Sequence, residues 1–138
     1  MIANYYQHNK HLRTLEYKVG LKATDRNGLP AGYGEITVNI PQYYGVKISA
    51  KQVDNYAEIT IENSGNGNDY FVLSKVLEEG LRIYLPETRF ELQGFESKTI
   101  KTIGLETEKI KPYNAQFIVT SEGNQNISAS VTLPIVKN

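Results

Sequence analysis

Apolar and polar residues alternate with a period of two along most of the chain. This is the pattern of strands that bury one face and wet the other. Leu15, Tyr17, Val19, Leu21 and Ala23 fall on one side, and Glu16, Lys18 and Lys22 on the other. Ile36, Val38 and Ile40 alternate with Glu35, Thr37 and Asn39. Val46, Ile48 and Ala50 alternate with Lys47, Ser49 and Lys51, and Ala57, Ile59 and Ile61 with Glu58, Thr60 and Glu62. Near the end, Ala115, Phe117 and Val119 alternate with Gln116, Ile118 and Thr120. Ile127, Ala129, Val131, Leu133 and Ile135 do so with Ser128, Ser130 and Thr132. Shorter runs at 70–74, 81–85, 88–92 and 99–103 complete the set, and the one helix candidate is a single turn at 74–79.

Turn chemistry separates these runs. Asp25-Arg26-Asn27-Gly28, Gly32-Tyr33-Gly34, Gly80, Gly94, Pro112 and Gly123-Asn124 mark breaks, and Asn63-Ser64-Gly65-Asn66-Gly67-Asn68-Asp69 consists of turn residues alone. About ten short strands at this spacing predict an all-β sandwich or barrel of antiparallel sheets, each buried on one side.

Composition narrows the functions open to such a body. Fifteen Lys and Arg balance fifteen Asp and Glu over 138 residues. That balance lacks the basic face a nucleic-acid binder needs, so no nucleic-acid partner is expected. With no Cys, thiolate catalysis, thiolate zinc sites and disulfides are excluded. No apolar run reaches the length of a membrane helix. The first residues are aromatic and then polar and basic, a composition found just outside a membrane. Residues 1–11 are therefore expected to be a flexible or membrane-proximal segment, and any membrane contact to come through an anchor upstream of them.

A resemblance runs through residues 44–138. It begins at Gly45-Val46-Lys47-Ile48-Ser49 and continues over Ala57-Glu58-Ile59-Thr60-Ile61-Glu62-Asn63-Ser64-Gly65-Asn66-Gly67-Asn68-Asp69-Tyr70-Phe71. Gly80-Leu81, Pro86, Phe90-Glu91-Leu92 and Gly94-Phe95-Glu96-Ser97-Lys98-Thr99-Ile100 follow. Pro112-Tyr113, Phe117-Ile118-Val119 and Ser128-Ala129-Ser130-Val131-Thr132-Leu133 resemble a closing hairpin. The succession resembles the immunoglobulin-like modules repeated in archaeal and bacterial cell-surface proteins, of the NPCBM-associated and CARDB adhesion types. Gln93 stands where those families usually carry proline. The fold class so implied is all-β, an immunoglobulin-like antiparallel β-sandwich. Residues 12–41 are expected as added strands on it, so that 12–138 forms one domain. One sandwich behind an interface-like segment also resembles the accessory subunits of the archaellum. In those, a membrane segment precedes an extracellular sandwich that grips the surface-layer protein.

Residues able to carry chemistry are few. His8 and His11 stand three apart but have no third ligand beside them. The Glu78-Glu79 and Glu106/Glu108 pairs fit a solvated face rather than the opposed carboxyls of a glycosidase. Gly65-Asn66-Gly67-Asn68-Asp69 has oxygens suited to calcium but lacks the clustered acids and closing Glu of a calcium loop. No catalytic residue, cofactor or metal site is assigned. Asn126-Ile127-Ser128 is the one glycosylation sequon, with Asn126 on a polar face.

Contact surfaces fit the sequence better. Tyr43 and Tyr44 form a doublet near a predicted loop, and Val72, Ile100, Ile103 and Ile118 are apolar residues expected on outward faces. These six are the interface candidates, with a homodimer expected. The expected function is a non-enzymatic extracellular structural or anchoring domain of the cell envelope that binds a surface-layer or other envelope protein. A carbohydrate-binding module using Tyr33, Tyr43 and Tyr44, and a filament subunit using residues 1–12, are the alternatives.

Overall fold

The computed structural model describes residues 14–28 and 30–137. Tyr5, Tyr6, His8, His11 and the membrane-proximal segment lie outside these. The chain divides into two compact units, parted between Tyr43 and Tyr44.

The first unit holds an antiparallel ribbon of β1 (Thr14–Thr24) and β2 (Pro30–Pro41). Its register places Leu15 opposite Ile40 and Val19 opposite Ile36, so the apolar phases of both strands share one face. The turn is closed by the Gly28 N–H donating to the Asp25 carbonyl at 3.0 Å, and Gly28 takes a φ of 79°. Residues 12–41 were expected as added strands on the sandwich; among the described residues, β1 and β2 form a two-stranded sheet of their own.

Nine strands build the second unit: β3 (Val46–Val53), β4 (Tyr56–Asn63), β5 (Asp69–Leu77), β6 (Leu81–Tyr84), β7 (Arg89–Leu92), β8 (Ser97–Lys101), β9 (Ile103–Thr107), β10 (Tyr113–Ser121) and β11 (Ser128–Ile135). One sheet has the order β3-β4-β8, a second β11-β10-β5-β7, and β6 pairs with β9. All the pairings are antiparallel. The first two strands and β8 lie together while β5, β10 and β11 form the other sheet. That order makes the second unit an immunoglobulin-like sandwich. The predicted helical turn at 74–79 is instead the end of β5, where Val76 and Leu77 pair with Gln116 and Ala115.

Alternation explains the core. Ile59, Ile61 and Ile100 from the first sheet meet Phe71, Leu73, Phe117 and Val119 from the second, with Leu81, Ile83, Leu92 and Leu105 closing the sides. Burying each such side chain is worth roughly 1.5–3 kcal/mol. β3 lies beside β11, and the Gln52 side chain joins them. Its Nε2 donates to the Val136 carbonyl at 2.6 Å, and its Oε1 accepts from the Val136 N–H at 2.9 Å. The side chain stands in for a strand residue where the sheets meet.

Tyr113 fixes the entry to β10. Its ring is buried and its hydroxyl accepts from the Lys109 N–H at 3.1 Å. This is the tyrosine corner of immunoglobulin-like sandwiches.

Candidate functional site

Three turns meet the same end of the second unit: 64–68 between β4 and β5, 93–96 between β7 and β8, and 122–127 between β10 and β11. Asn63, only 1% exposed, ties the first two together. Its backbone N–H donates to the Glu96 carbonyl at 2.9 Å. Its Nδ2 lies within hydrogen-bond reach of the carbonyls of Gly67 (2.9 Å), Leu92 (3.1 Å) and Gln93 (3.1 Å), and its Oδ1 accepts from the Gly65 N–H at 2.9 Å. One buried amide therefore satisfies backbone groups from both turns. Gly94 is required by this approach, since a Cβ there would stand 2.7–2.9 Å from the Asn66–Gly67 backbone.

Asp69 anchors the third turn. Its Oδ2 accepts from the Ser121 hydroxyl and its Oδ1 from the Gly123 N–H at 2.9 Å, while the Asn124 N–H donates to Ser121 Oγ at 3.0 Å. The one acidic side chain of the 65–69 stretch is thus engaged in holding a neighbouring turn. Among the described residues no group of three or more His, Asp or Glu could hold a metal ion.

On this locked base stands Phe95. The Glu96 N–H donates to the Gln93 carbonyl at 3.0 Å, which makes 93–96 a β-turn. Phe95 occupies its third position with a φ of 66°, where type II turns take glycine. Its ring is 65% exposed. Glu96 braces the turn by accepting from the Gln93 N–H at 2.9 Å. The turn thus presents an aromatic side chain to solvent from a backbone conformation that L-residues rarely adopt. Sequence reasoning missed it because Gly94-Phe95-Glu96 reads as an ordinary turn. The available signal was an aromatic where glycine belongs.

The six interface candidates are scattered. Tyr43 is exposed, but Tyr44 is half-buried, with its ring against Gly123 at a distance that leaves no room for a Cβ. Val72 and Ile118 share the outer face of the four-stranded sheet, on β5 and β10. Ile100 is a correction. It is 3% exposed and pairs with Ile59 across β4 and β8, which sets its side chain in the core. Alternation continues through buried Thr102, whose hydroxyl accepts from the Ala57 N–H at 2.8 Å, to Ile103, which faces outward beside Tyr84. The phase slips at Gly104, which adopts a φ of 70°, and this returns Leu105 to the core. Asn126 is exposed, and its backbone N–H donates to Asn124 Oδ1 at 3.1 Å. For Tyr33, register places it opposite Lys22 on the ribbon.

One charged cluster flanks the same end. The Arg89 guanidinium lies 4.2 Å over the Tyr70 ring, and its Nε donates to Glu122 Oε2 at 2.6 Å. That hydrogen bond to Glu122 raises the Arg89 pKa above its ordinary value. The pair is solvent-exposed and contributes little to stability.

No protein-family model matches the chain, and no curated protein does. Among solved structures it is similar to the FixG-related protein from Vibrio parahaemolyticus. The identity is 13% and the TM-score 0.53, over 69% of this chain and 96% of that one. At this identity the likeness shows the fold alone. The matched share has the size of the second unit.

Proposed function

We propose that this chain is a non-enzymatic structural or anchoring module that works by protein–protein contact at the cell envelope, with a surface-layer or other envelope protein as its partner. The observation that carries the reading is Phe95, exposed in a left-handed conformation on two turns locked by Asn63. A fixed aromatic loses little conformational freedom on binding, so it suits the centre of a contact. Beside it in the same turn stands the exposed, uncharged Gln93, whose hydrogen bonds salt does not screen. The resemblance of residues 44–138 to cell-surface immunoglobulin-like modules supports the envelope setting, and the likeness to archaellum accessory subunits supports a surface-layer partner. On an exported chain Asn126 is an accessible sugar acceptor.

The test is retention of isolated surface-layer protein on the immobilised chain. Binding is expected to persist at salt on the order of 1 M, where charge is screened within about 3 Å. Phe95→Gly is expected to weaken binding at least about tenfold. The same change relieves an L-residue held at positive φ, so thermal or urea unfolding should show a gain of up to about 1 kcal/mol. Absence of retention by the unaltered chain, or full retention by Phe95→Gly, overturns the reading.

A further inference from the structure

The chain contains two Asn-Gly steps, Asn27-Gly28 and Asn66-Gly67. Such a step can close on itself, because glycine has no Cβ to obstruct the approach. The glycine backbone nitrogen attacks the carbonyl carbon of the asparagine side chain. A bond forms between that nitrogen and that carbon, the carbon's bond to the side-chain nitrogen breaks, and ammonia leaves with the glycine proton. Water then opens the five-membered imide at either carbonyl, giving aspartate or isoaspartate. How fast this proceeds in a folded chain depends on how easily the turn opens.

The two steps sit in opposite surroundings. Asn27 and Gly28 are exposed in the turn between β1 and β2. The Asn27 N–H donates to Asp25 Oδ1 at 2.8 Å and the Gly28 N–H to the Asp25 carbonyl at 3.0 Å. Both bonds join exposed residues, so exchanging them for bonds to water costs little. Among the described residues, no atom beyond its chain neighbours lies within 4 Å of where a Gly28 side chain would begin. A two-stranded ladder also holds its turn only weakly. Asn66-Gly67 lies in the 64–68 turn, where Gly67 is buried and its carbonyl accepts from Asn63 Nδ2 at 2.9 Å. A Cβ on Gly94 would stand 2.9 Å from the Gly67 nitrogen, so the attacking atom is covered by another turn. Opening this step breaks the buried amide contacts of Asn63 with Gly65 and Gly67. We propose that Asn27 is a modification site of the folded chain, converted through the imide to aspartate or isoaspartate, and that the packing of Gly94 spares Asn66. The product sets a second carboxylate two residues from that of Asp25, where like charges repel. In the isoaspartyl form the main chain runs through the former side chain and gains a carbon, so the 25–28 hydrogen bond no longer closes the same ring. Conversion loosens the ribbon and leaves the Phe95 turn unaltered. The site is therefore independent of the envelope partner.

Hydroxylamine cleaves the chain at the imide and so reports the site directly. The intact chain is incubated with it at mildly alkaline pH, with and without urea, and the fragments are weighed. Cleavage after Asn27 and after Asn66 in urea sets the rate of each open step. In the folded chain, cleavage after Asn27 should stay within about tenfold of its urea rate, and cleavage after Asn66 should fall at least about a hundredfold below its own. Peptide mapping of the aged chain without hydroxylamine should find isoaspartate at position 27. Asn27→Gln, a change at an exposed turn position, should abolish the first cut and leave the slow second one as it was. Folded-chain cleavage after Asn66 as fast, relative to urea, as after Asn27, or an Asn27 that stays uncut, overturns the proposal.

Discussion

Asn63 and Lys51 lie on the neighbouring strands β4 and β3, and both are polar residues in contact with a polar partner. Asn63 is buried at the loop end, and its amide meets backbone groups of Gly65, Gly67, Leu92 and Gln93. Lys51 stands on the outer face, its side chain 72% exposed, 3.6 Å from the Glu58 carboxylate. Removing the first leaves several shielded backbone groups without their partner. Removing the second leaves the Glu58 carboxylate to the solvent it already touches. The difference teaches where polar residues decide this fold: at the turns, where they replace missing backbone ladders, and not along the wet sheet faces.

The largest expected effect tests the buried side of that contrast. Asn63→Ala should destabilise the second unit by about 3 kcal/mol, as several backbone groups lose their partner together. Asn63→Asp should cost at least as much, because a carboxylate would face the carbonyls that the amide now serves. Urea unfolding followed by circular dichroism reads both. A loss below about 1 kcal/mol would mean that water replaces the amide, and the contrast with Lys51 would fall.

Tyr113 offers an intermediate case. Tyr113→Phe keeps the buried ring and removes only the acceptor for the Lys109 N–H. That N–H is half shielded, so the expected loss is about 1 kcal/mol in the same unfolding assay. A value near that of Asn63→Ala would show that the corner also holds the 108–112 turn in place. A value near zero would assign the whole contribution of Tyr113 to its ring.

The sandwich was legible because period-two alternation survives in β3, β4, β10 and β11. Ala57, Ile59 and Ile61, and Ala115, Phe117 and Val119, are core residues in the phase their alternation predicts. Legibility failed in the short run from Ser97 to Leu105. Ile100 and Ile103 stand three apart, so a period of two puts them on opposite faces, and only Ile103 is outward. What alternation does not mark is the slip at Gly104, where the register between β6 and β9 shifts. The predicted turn at 74–79 failed for the opposite reason, since Val76 and Leu77 take strand geometry from pairing with β10, a partner some forty residues away. Asn63 and Asp69 were read as turn residues; they are the last residue of β4 and the first of β5, and their side chains hold turns. Their partners lie in turns distant in sequence, and only the fold brings these together. Val72 and Ile118 were found as outward apolar residues, but their shared face depends on β5 lying beside β10.

The smallest expected effect tests the exposed side. A double-mutant cycle over Lys51→Ala and Glu58→Ala should give a coupling of about 0.5 kcal/mol or less, as exposed cross-strand ion pairs do. Glu58 is the more shielded partner, with its side chain 20% exposed, so the single change there should exceed that at Lys51. The coupling should fade as salt approaches about 1 M, while the cost of Asn63→Ala stays constant, because hydrogen bonds in the buried turn are not screened. Salt dependence thus separates the two regions more sharply than magnitude alone. A coupling that survives high salt would mean that β3 and β4 hold this pair away from solvent, and that the charged face contributes to the stiffness of the sandwich.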